Sequence, residues 1–391
     1  MPAREILTVR DFAFGGDTVG TLADGRVCFF RGGVPGEKVE IEIVSTHKNF
    51  CRGRITAVLE ASENRITPAC PHFDQCPGCS YLHTTYAVEI AAKARQFEYF
   101  INRNRPSEIA VETPFAAPQR FNWRSRLRLH CQNGRCGYLG FDNKTLVEVK
   151  NCMLATDEIN EKLSALDIPR SFTGTLGIDF CSENGAVSTL DAEVPDKLTG
   201  SLPGFGNFRY KNGGFFQTNS EVAAELCRRV TECVKEIQPE FMLELYCGVG
   251  VFSIVSALAL PGLRCVGMEF DRQAVRCAVG NARRNKVSGR CSFFAGDAAD
   301  APERFASFGK RLKTLTLVDP PRNGLSRKMV DALLKTAPGH IIYISCGPDT
   351  LRRDLDALTS RYDIRRCGML DMFPGTAHFE SFVLLQRKDT V

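Results

Sequence analysis

Short stretches in which apolar and polar residues alternate open the chain, and glycine-rich turns separate them. Such alternation is typical of half-buried β-strands, because successive side chains of a strand point to opposite faces. We therefore predict strands over residues 6–9, 26–30, 38–45 and 52–59, with turns at pairs such as Gly15-Gly16 and Pro35-Gly36. Five or so short strands within residues 1–60 indicate an OB-like β-barrel. Its charges balance, so it is either a docking module or an RNA-contacting one.

The pattern changes between residues 61 and 205. A cluster of cysteines and prolines comes first, and an amphipathic segment over residues 86–102 predicts a helix. Apolar runs that follow are separated by turns such as Asn133-Gly134 and Glu183-Asn184-Gly185, which favours strands. We predict a mixed α+β central domain over this segment.

Helices and strands alternate from residue 206 to residue 391. A Thr218-x-x-Glu221 capping box predicts the start of an amphipathic helix. The apolar face of this helix comprises Val222, Leu226, Val230 and Ile237. Candidate strands follow over residues 241–246, 264–269, 291–294, 312–319 and 340–345. Strands that alternate with helices indicate an α/β domain of the Rossmann-like type, with a doubly wound, mostly parallel sheet. We predict the domain boundary near residue 205.

The composition of the 391 residues is that of an ordinary globular protein, with 43% hydrophobic and 24% charged residues. It excludes disorder, collagen and a coiled coil as the main architecture. The chain contains no run of about 20 apolar residues, as a membrane span requires, and its first residues lack the apolar core of a signal peptide. We therefore expect a cytoplasmic protein. The net charge is only +5, but residues 91–135 carry nine Lys/Arg against three Glu.

Four of the 17 cysteines have the spacing of a metal centre. The motif Cys70-x5-Cys76-x2-Cys79, together with Cys152, supplies four thiolate ligands. Tetrahedral zinc and a [4Fe-4S] cluster both fit this ligand set, and a coincidental spacing stays open. We interpret twelve of the other cysteines as small buried apolar residues.

Glycines and acidic residues lie where a nucleoside cofactor would bind. Gly248 and Gly250 follow the strand predicted over residues 241–246, and Glu269 ends the next strand. A carboxylate there can accept hydrogen bonds from both ribose hydroxyls. Ser253 stands where a dinucleotide site would have a third glycine, which favours a ligand without pyrophosphate. Asp297 is a candidate for the adenine amino group, and a tight turn with surface acids is the structural alternative.

A cysteine and a glutamate complete a candidate catalytic set. Cys346 ends the strand predicted over residues 340–345 and precedes a helix, whose dipole we expect to lower the thiol pKa. Glu380 follows a turn at Pro374-Gly375 and is a candidate general base. The surrounding motifs are Phe215-Phe216-Gln217-x-Asn219, Asp319-Pro320-Pro321-Arg322, Ser345-Cys346-Gly347-Pro348 and Phe373-Pro374-x-Thr376-x-His378-x-Glu380.

These motifs, in this combination and order, resemble the S-adenosylmethionine-dependent RNA uracil-5-methyltransferases. The branch concerned carries an N-terminal TRAM domain and an iron–sulfur cluster. The resemblance implies that Cys346 adds to C6 of uracil and that Glu380 removes the C5 proton after methyl transfer. It also implies S-adenosyl-L-methionine contacts by Gln217, Tyr246, Glu269 and Asp319, and a structural or RNA-positioning [4Fe-4S] cluster on the four cysteines. Val251 and Glu244 depart from the family pattern, which has a polar residue and Asp at these positions.

An RNA partner is the last expectation. Arg124, Arg126 and Arg128 share one face of a predicted strand and form a candidate phosphate stripe; a solvated face paired with carboxylates is the alternative. Arg322 is a candidate contact to the base or its phosphate, and Phe215, Phe216 or Phe373 could stack on an extruded uracil. We expect a monomer that acts on large-subunit (23S) ribosomal RNA. The alternatives are transfer RNA as substrate, a non-catalytic RNA-binding assembly factor, and an iron–sulfur redox protein.

Overall fold

The structure is a computed structural model that describes residues 3–103, 105, 107–305 and 313–388. It contains a closed barrel, a five-stranded sheet, a two-stranded sheet and a seven-stranded sheet. Among the helices of these residues, none has the length and the apolar character that a membrane crossing requires.

Five strands form the N-terminal barrel, in the order β1-β2-β3-β5-β4. They are β1 (Arg4–Phe12), β2 (Thr18–Thr21), β3 (Val27–Phe30), β4 (Lys38–Thr46) and β5 (Phe50–Glu60). Alternate residues such as Leu7, Val39 and Ile41 fill its interior. The predicted barrel and four of its strands are confirmed. The short strand β2 was missed because its first three residues are all buried, so it shows no alternation.

The central part of the chain combines helices with antiparallel strands. Helix α1 spans Tyr86–Asn102, as predicted, and α2 spans Asp157–Ala165. The five-stranded sheet has the order β10-β9-β6-β7-β8, and β11 pairs with β12. These strands are β6 (Arg126–Gln132), β7 (Arg135–Leu139), β8 (Leu146–Glu148), β9 (Gly174–Cys181), β10 (Gly185–Ser188), β11 (Lys197–Leu202) and β12 (Gly206–Lys211).

The C-terminal part is the predicted doubly wound α/β sheet, in the order β15-β14-β13-β16-β17-β19-β18. Its strands are β13 (Phe241–Leu245), β14 (Arg264–Glu269), β15 (Cys291–Ala295), β16 (Thr314–Val318), β17 (His340–Ser345), β18 (Tyr362–Leu370) and β19 (Glu380–Arg387). Strands β13–β17 are parallel, whereas β19 runs antiparallel to both of its neighbours. Leu312, predicted within the strand over 312–319, lies outside the described residues.

Helices connect these strands and cover both faces of the sheet. They are α3 (Ser220–Ile237), α4 (Val251–Ala259), α5 (Arg272–Arg284), a 3-10 turn (Ala298–Asp300), α6 (Ala301–Arg304), α7 (Arg327–Thr336) and α8 (Pro348–Leu358). The predicted capping box at Thr218 is wrong. Asn219 is the N-cap of α3, and its side chain accepts a hydrogen bond from the Val222 N–H at 3.3 Å. Asn219 thus takes the capping role one residue later than predicted, on the amide of Val222 instead of that of Glu221.

Candidate active site

The strand order brings three reactive side chains to one edge of the seven-stranded sheet. Asp319 follows β16 and Cys346 follows β17, at the carboxyl ends of parallel strands. Because β19 runs the other way, its first residue, Glu380, lies at this same edge. Ser345 pairs with Ser381, so the next residues outward, Cys346 and Glu380, emerge side by side. The sheet therefore joins a thiol and two carboxyls that lie far apart in sequence.

The Cys346 thiol is poorly ionised in this environment. Burial, and then the charges of Glu380 and Asp319, raise its pKa to about 11, while Arg322 acts in the opposite direction. The prediction of a lowered thiol pKa is therefore wrong for the free protein. Cys346 lies one residue before Gly347, the N-cap of α8, but desolvation and the two neighbouring carboxyls outweigh any lowering of the thiol pKa by the helix N-terminus.

The two carboxyls share one low-dielectric site. Glu380 is only 4% exposed, and its pKa lies well above the usual range because of burial and the nearby Asp319, with Arg322 lowering it. Burial and the Glu269 charge raise the pKa of Asp319 to about 7. Like charges this close disfavour double ionisation, so the edge of the sheet can store a proton at neutral pH. Raised carboxyl pKa values of this kind suit general acid–base work.

A cavity of about 540 Å³ opens beside this edge. Four of the predicted cofactor residues line it: Gln217, Tyr246, Gly248 and Asp319. Tyr246 has a positive φ of 62°, a conformation that side chains rarely adopt and that is enriched at ligand sites. The lining combines apolar side chains with a few polar groups, as is usual for a small-molecule site.

The remaining predicted cofactor residues, Gly250, Glu269 and Asp297, do not line the cavity. The Glu269 carboxylate accepts hydrogen bonds from the N–H groups of Gly248 at 3.0 Å and Asp271 at 2.9 Å. Gly250 has a φ of 81°, and a Cβ there would lie 2.6 Å from the Phe293 ring. Asp297 instead caps the 3-10 turn by accepting a hydrogen bond from the Ala299 N–H, and its side chain is largely exposed.

Both departures from the family pattern also line this cavity. The buried Glu244 carboxylate accepts a hydrogen bond at 2.8 Å from the Ser253 N–H in the first turn of α4, so its longer arm fixes the start of that helix. Burial raises the pKa of Glu244 to about 8. Val251, the first residue of α4, contributes apolar surface. Sequence reasoning missed this capping role, although an acid on a strand before a Gly-rich turn is a usable signal.

The four predicted metal ligands line a second cavity of about 480 Å³: Cys70, Cys76, Cys79 and Cys152. Burial, and then each of the other three thiols, raise the pKa of Cys79. Within the described ranges, however, no three His, Cys, Asp or Glu side chains are arranged to hold a single metal ion. The thiols thus surround a common space without meeting at one point. This donor set fits a thiolate-ligated metal group by its chemistry.

Two of the three arginines of the predicted phosphate stripe pair with a carboxylate, as the alternative to that prediction expects. Arg126 and Arg128 both form ion pairs with Asp179 on the neighbouring strand β9, and Arg126 also donates to the Gly214 carbonyl. Asp179 is buried, so these guanidinium groups neutralise it. Arg124 lines the cysteine cavity instead. The sequence near the three arginines does not reveal this partner, because Asp179 lies 53 residues after Arg126.

The aromatic predictions divide between core and surface. Phe216 is only 8% exposed and stacks on Tyr210 with ring centroids 5.0 Å apart, so it packs in the core. Phe215, beside it, is 68% exposed, and both rings line the cavity that Gln217 and Tyr246 line. Phe373 contacts the Trp123 and His378 rings edge-on.

Comparisons with known proteins agree with this architecture. Residues 205–388 match the family model described as tRNA (uracil-5-)-methyltransferase, and residues 6–56 match the TRAM domain model. An uncharacterized RNA methyltransferase of Aquifex aeolicus is 29% identical, with 98% of each chain covered. A 23S rRNA (uracil(1939)-C(5))-methyltransferase of Marinomonas is 28% identical, covering 93% of this chain and 91% of that one.

One solved structure has the same fold along nearly the whole chain. It is the Pyrococcus abyssi tRNA (uracil-54, C5)-methyltransferase in complex with S-adenosyl-L-homocysteine. The TM-score is 0.75 at 22% identity, and the match covers 98% of this chain and 100% of that one.

Proposed function

We propose that the chain is an S-adenosylmethionine-dependent RNA (uracil-5-)-methyltransferase that methylates C5 of a uridine in structured RNA through a covalent step. The family model that matches residues 205–388 and the relatives that align with 93% of the chain support this proposal. The observation that carries this mechanism is the pairing of Ser345 with Ser381, which makes a thiol and a buried carboxyl neighbours at one sheet edge. A nucleophile and a proton acceptor on the same edge are what substitution at a uracil C5 requires.

Cys346 is the proposed nucleophile. C5 of uracil is a weak nucleophile until a thiolate adds to C6 and makes an enolate. With a pKa of about 11, the thiol must lose its proton as it attacks. The Asp319 carboxyl, with a pKa of about 7, is a suitable acceptor at this edge. The sulfur–C6 bond then forms, and its electron pair comes from the thiolate.

Glu380 is the proposed base for the second half of the reaction. C5 of the enolate would take the methyl group from S-adenosylmethionine, and S-adenosylhomocysteine would leave. Glu380 then takes the C5 proton, the C5–C6 double bond reforms, and the sulfur–C6 bond breaks to release the Cys346 thiolate. Since burial raises the pKa of Glu380, its carboxylate is a stronger base than an exposed one.

The cavity lined by Gln217, Tyr246 and Asp319 is the proposed site for the methionine half of S-adenosylmethionine. Asp319 and Gln217 supply polar groups to it, and Tyr246 supplies a ring. Glu269, held by the Gly248 and Asp271 amides, is the proposed acceptor for the ribose hydroxyls. Gly248 and Gly250 allow close approach of the backbone. Asp297 is the proposed adenine contact.

Large-subunit ribosomal RNA is the proposed substrate. Several relatives that align with 93% of the chain are named as 23S rRNA (uracil(1939)-C(5))-methyltransferases. Transfer RNA is the second candidate, since the family model that matches residues 205–388 carries that description. Arg322 is the proposed contact to the target base or its phosphate, because its charge acts on both Cys346 and Glu380.

A [4Fe-4S] cluster on Cys70, Cys76, Cys79 and Cys152 is the proposed metal group. Four cysteine thiols that line one cavity match in number and chemistry the ligands that such a cluster takes. Four protein ligands leave no iron open to substrate, so its proposed role is structural. Analysis of iron, sulfide and zinc in the purified protein tests this assignment.

The test of the function is methyl transfer from labelled S-adenosylmethionine to undermodified RNA. We expect wild-type protein to form 5-methyluridine and Cys346→Ala to form none. Nuclease mapping of the product separates ribosomal from transfer RNA. Absence of incorporation into either RNA pool, with folded wild-type protein, would contradict the proposal.

A further inference from the structure

The segment that leads into Glu380 is held by a buried group of charges. Strand β18 ends at Leu370, which pairs with Glu380, so residues 371–379 connect the last two strands. The first of them, Asp371, is fully buried. It accepts a hydrogen bond at 2.7 Å from the Lys93 ammonium, which belongs to α1. Thus a helix of the central part of the chain reaches the connection before the proposed base.

Lys93 is fully buried and makes three contacts with or near this segment. Its Nζ donates to Glu89 Oε1 at 2.8 Å, to Asp371 Oδ1 at 2.7 Å and to the Phe373 carbonyl at 3.3 Å. Glu89 in turn accepts a hydrogen bond at 2.6 Å from the Gly375 N–H. Lys93 and Glu89 together therefore hold the segment through the Asp371 side chain, the Phe373 carbonyl and the Gly375 N–H.

Two further groups complete the charge balance. Arg120 pairs with the second oxygen of Glu89 at 3.0 Å. The Tyr86 hydroxyl donates to the second oxygen of Asp371 at 2.8 Å. Two cations and two carboxylates thus neutralise one another, and each carboxylate oxygen has a donor. A buried group that is satisfied in this way is rigid, because displacing one member leaves another unpaired.

The segment is also tied to the loop that carries the candidate metal ligands. The N–H groups of Ser80 and Tyr81, next to Cys79, both donate to the Gly375 carbonyl, at 2.8 and 3.2 Å. Gly375 therefore binds Glu89 through its N–H and the cysteine loop through its carbonyl. The position of the segment is set from outside the seven-stranded sheet.

We propose that Lys93 is a positioning residue for Glu380: by holding residues 371–379 through Glu89 and Asp371, it sets where the Glu380 carboxyl lies relative to the C5 proton. This inference rests on the proposed function. Apolar residues of the same volume would hold a loop equally well or better, so stability alone does not call for buried charges here. Hydrogen bonds are directional and apolar contacts are not. The hydrogen bonds of Lys93 and Glu89 therefore fix the position of residues 371–379 more closely than apolar packing would.

The step that depends on this position is the last one. Cys346 and Asp319 follow β17 and β16, whereas the hydrogen bonds of Lys93 go to Glu89, Asp371 and Phe373. We therefore expect addition and methyl transfer to keep their geometry when Lys93 is replaced. Proton removal by Glu380 becomes slower, by about 10-fold to 100-fold for a displacement of about 1 Å. We therefore expect Lys93→Met to accumulate a methylated protein–RNA adduct that survives denaturation, at least several times more than wild type.

The experiment follows wild type, Lys93→Met and Asp371→Asn in single turnover with labelled S-adenosylmethionine. Adduct is read on denaturing gels and free 5-methyluridine by nuclease digestion. Asp371→Asn is nearly isosteric and gives the same readout if Lys93→Met fails to fold. Arg229→Met is the matched control, since it removes another buried cation, one that pairs with Glu225 and Glu112.

The outcomes separate the inference from the function on which it rests. Adduct that accumulates in the Lys93 or Asp371 variant, but not in Arg229→Met, supports the positioning role. Activity that falls only with the folded fraction, or adduct at the wild-type level in both variants, overturns it. Wild-type protein that forms no 5-methyluridine overturns the proposed function instead.

Discussion

Replacement of Glu380 by Gln should make the Cys346 thiol easier to ionise in the free protein. Burial is the largest cause of the raised thiol pKa, and the Glu380 charge is the next. Gln has nearly the same volume and no charge, so burial stays while the charge disappears. The thiol pKa should fall from about 11 part of the way toward its ordinary value of 9.0.

The size of the effect follows from this interval. With a pKa of about 11, about one thiol in 10⁴ is ionised at pH 7 and about one in 10² at pH 9. Alkylation of Cys346 in the wild type should therefore become about tenfold faster for each pH unit up to about pH 10. In Glu380→Gln, the curve of alkylation rate against pH should be displaced to lower pH. The rate at pH 8 should then rise several-fold, and by less than about 100-fold.

The assay is iodoacetamide labelling of the folded protein, followed by mass spectrometry of the peptide that contains Cys346. Cys346→Ala gives the background. Glu183→Gln is the control for loss of a carboxylate elsewhere, because Glu183 pairs with Arg209 on the surface. A wild-type labelling midpoint at or below pH 9 would refute the reasoning, as would a Glu380→Gln curve that coincides with the wild type.

Three more predictions concern turnover, cofactor binding and stability. In turnover with RNA, Glu380→Gln should lower kcat by about 10²-fold to 10⁴-fold and leave a methylated adduct on denaturing gels, whereas release of free product at the wild-type rate would speak against a base at this position. Glu269→Ala should weaken S-adenosylhomocysteine binding about 10-fold to 100-fold in calorimetry, through loss of hydrogen bonds to a charged group, and an unchanged Kd would remove it from the cofactor site. Asp179→Ala should lower the free energy of unfolding by about 3 kcal/mol, because Arg126 and Arg128 lose their shared partner; a melting temperature within one degree of the wild type would show that this pairing contributes nothing.

The fold could be predicted where the pattern of residues is local and strong. Helix α1 has the predicted bounds because its apolar residues recur over 17 positions, and strands β14 and β17 have theirs because each is a short run of consecutive buried residues. Strand β2 has four residues and no alternation, so local pattern could not find it. The start of α3 differs by one residue, since Thr218 and Asn219 are both good caps and tertiary contacts decide between them. The Asn219 amide also donates to the Met372 carbonyl.

The sequence predicts which residues form the candidate site, but it does not predict their pKa values or their ion-pair partners. Motifs at strand ends must meet at one sheet edge, which is why Asp319, Cys346 and Glu380 were grouped correctly. Their roles in catalysis remain predictions. The thiol pKa and the partners of Arg126 and Arg128 depend on side chains far away in sequence, and a single sequence does not reveal those contacts. Lys93 gave no signal at all, since a lone Lys in a helix normally faces solvent.

The reversed direction of β19 has a consequence for changes in chain length. Every residue of a strand faces the side opposite to its neighbours, so one residue inserted just after Ser381 would turn Glu380 away from Cys346 while the rest of the strand kept its pairing. An insertion in the turn over residues 359–361, between α8 and β18, leaves that pairing and the buried face of α8 intact. Single-residue insertions should thus abolish activity at the beginning of the final strand and be tolerated in the turn that precedes β18.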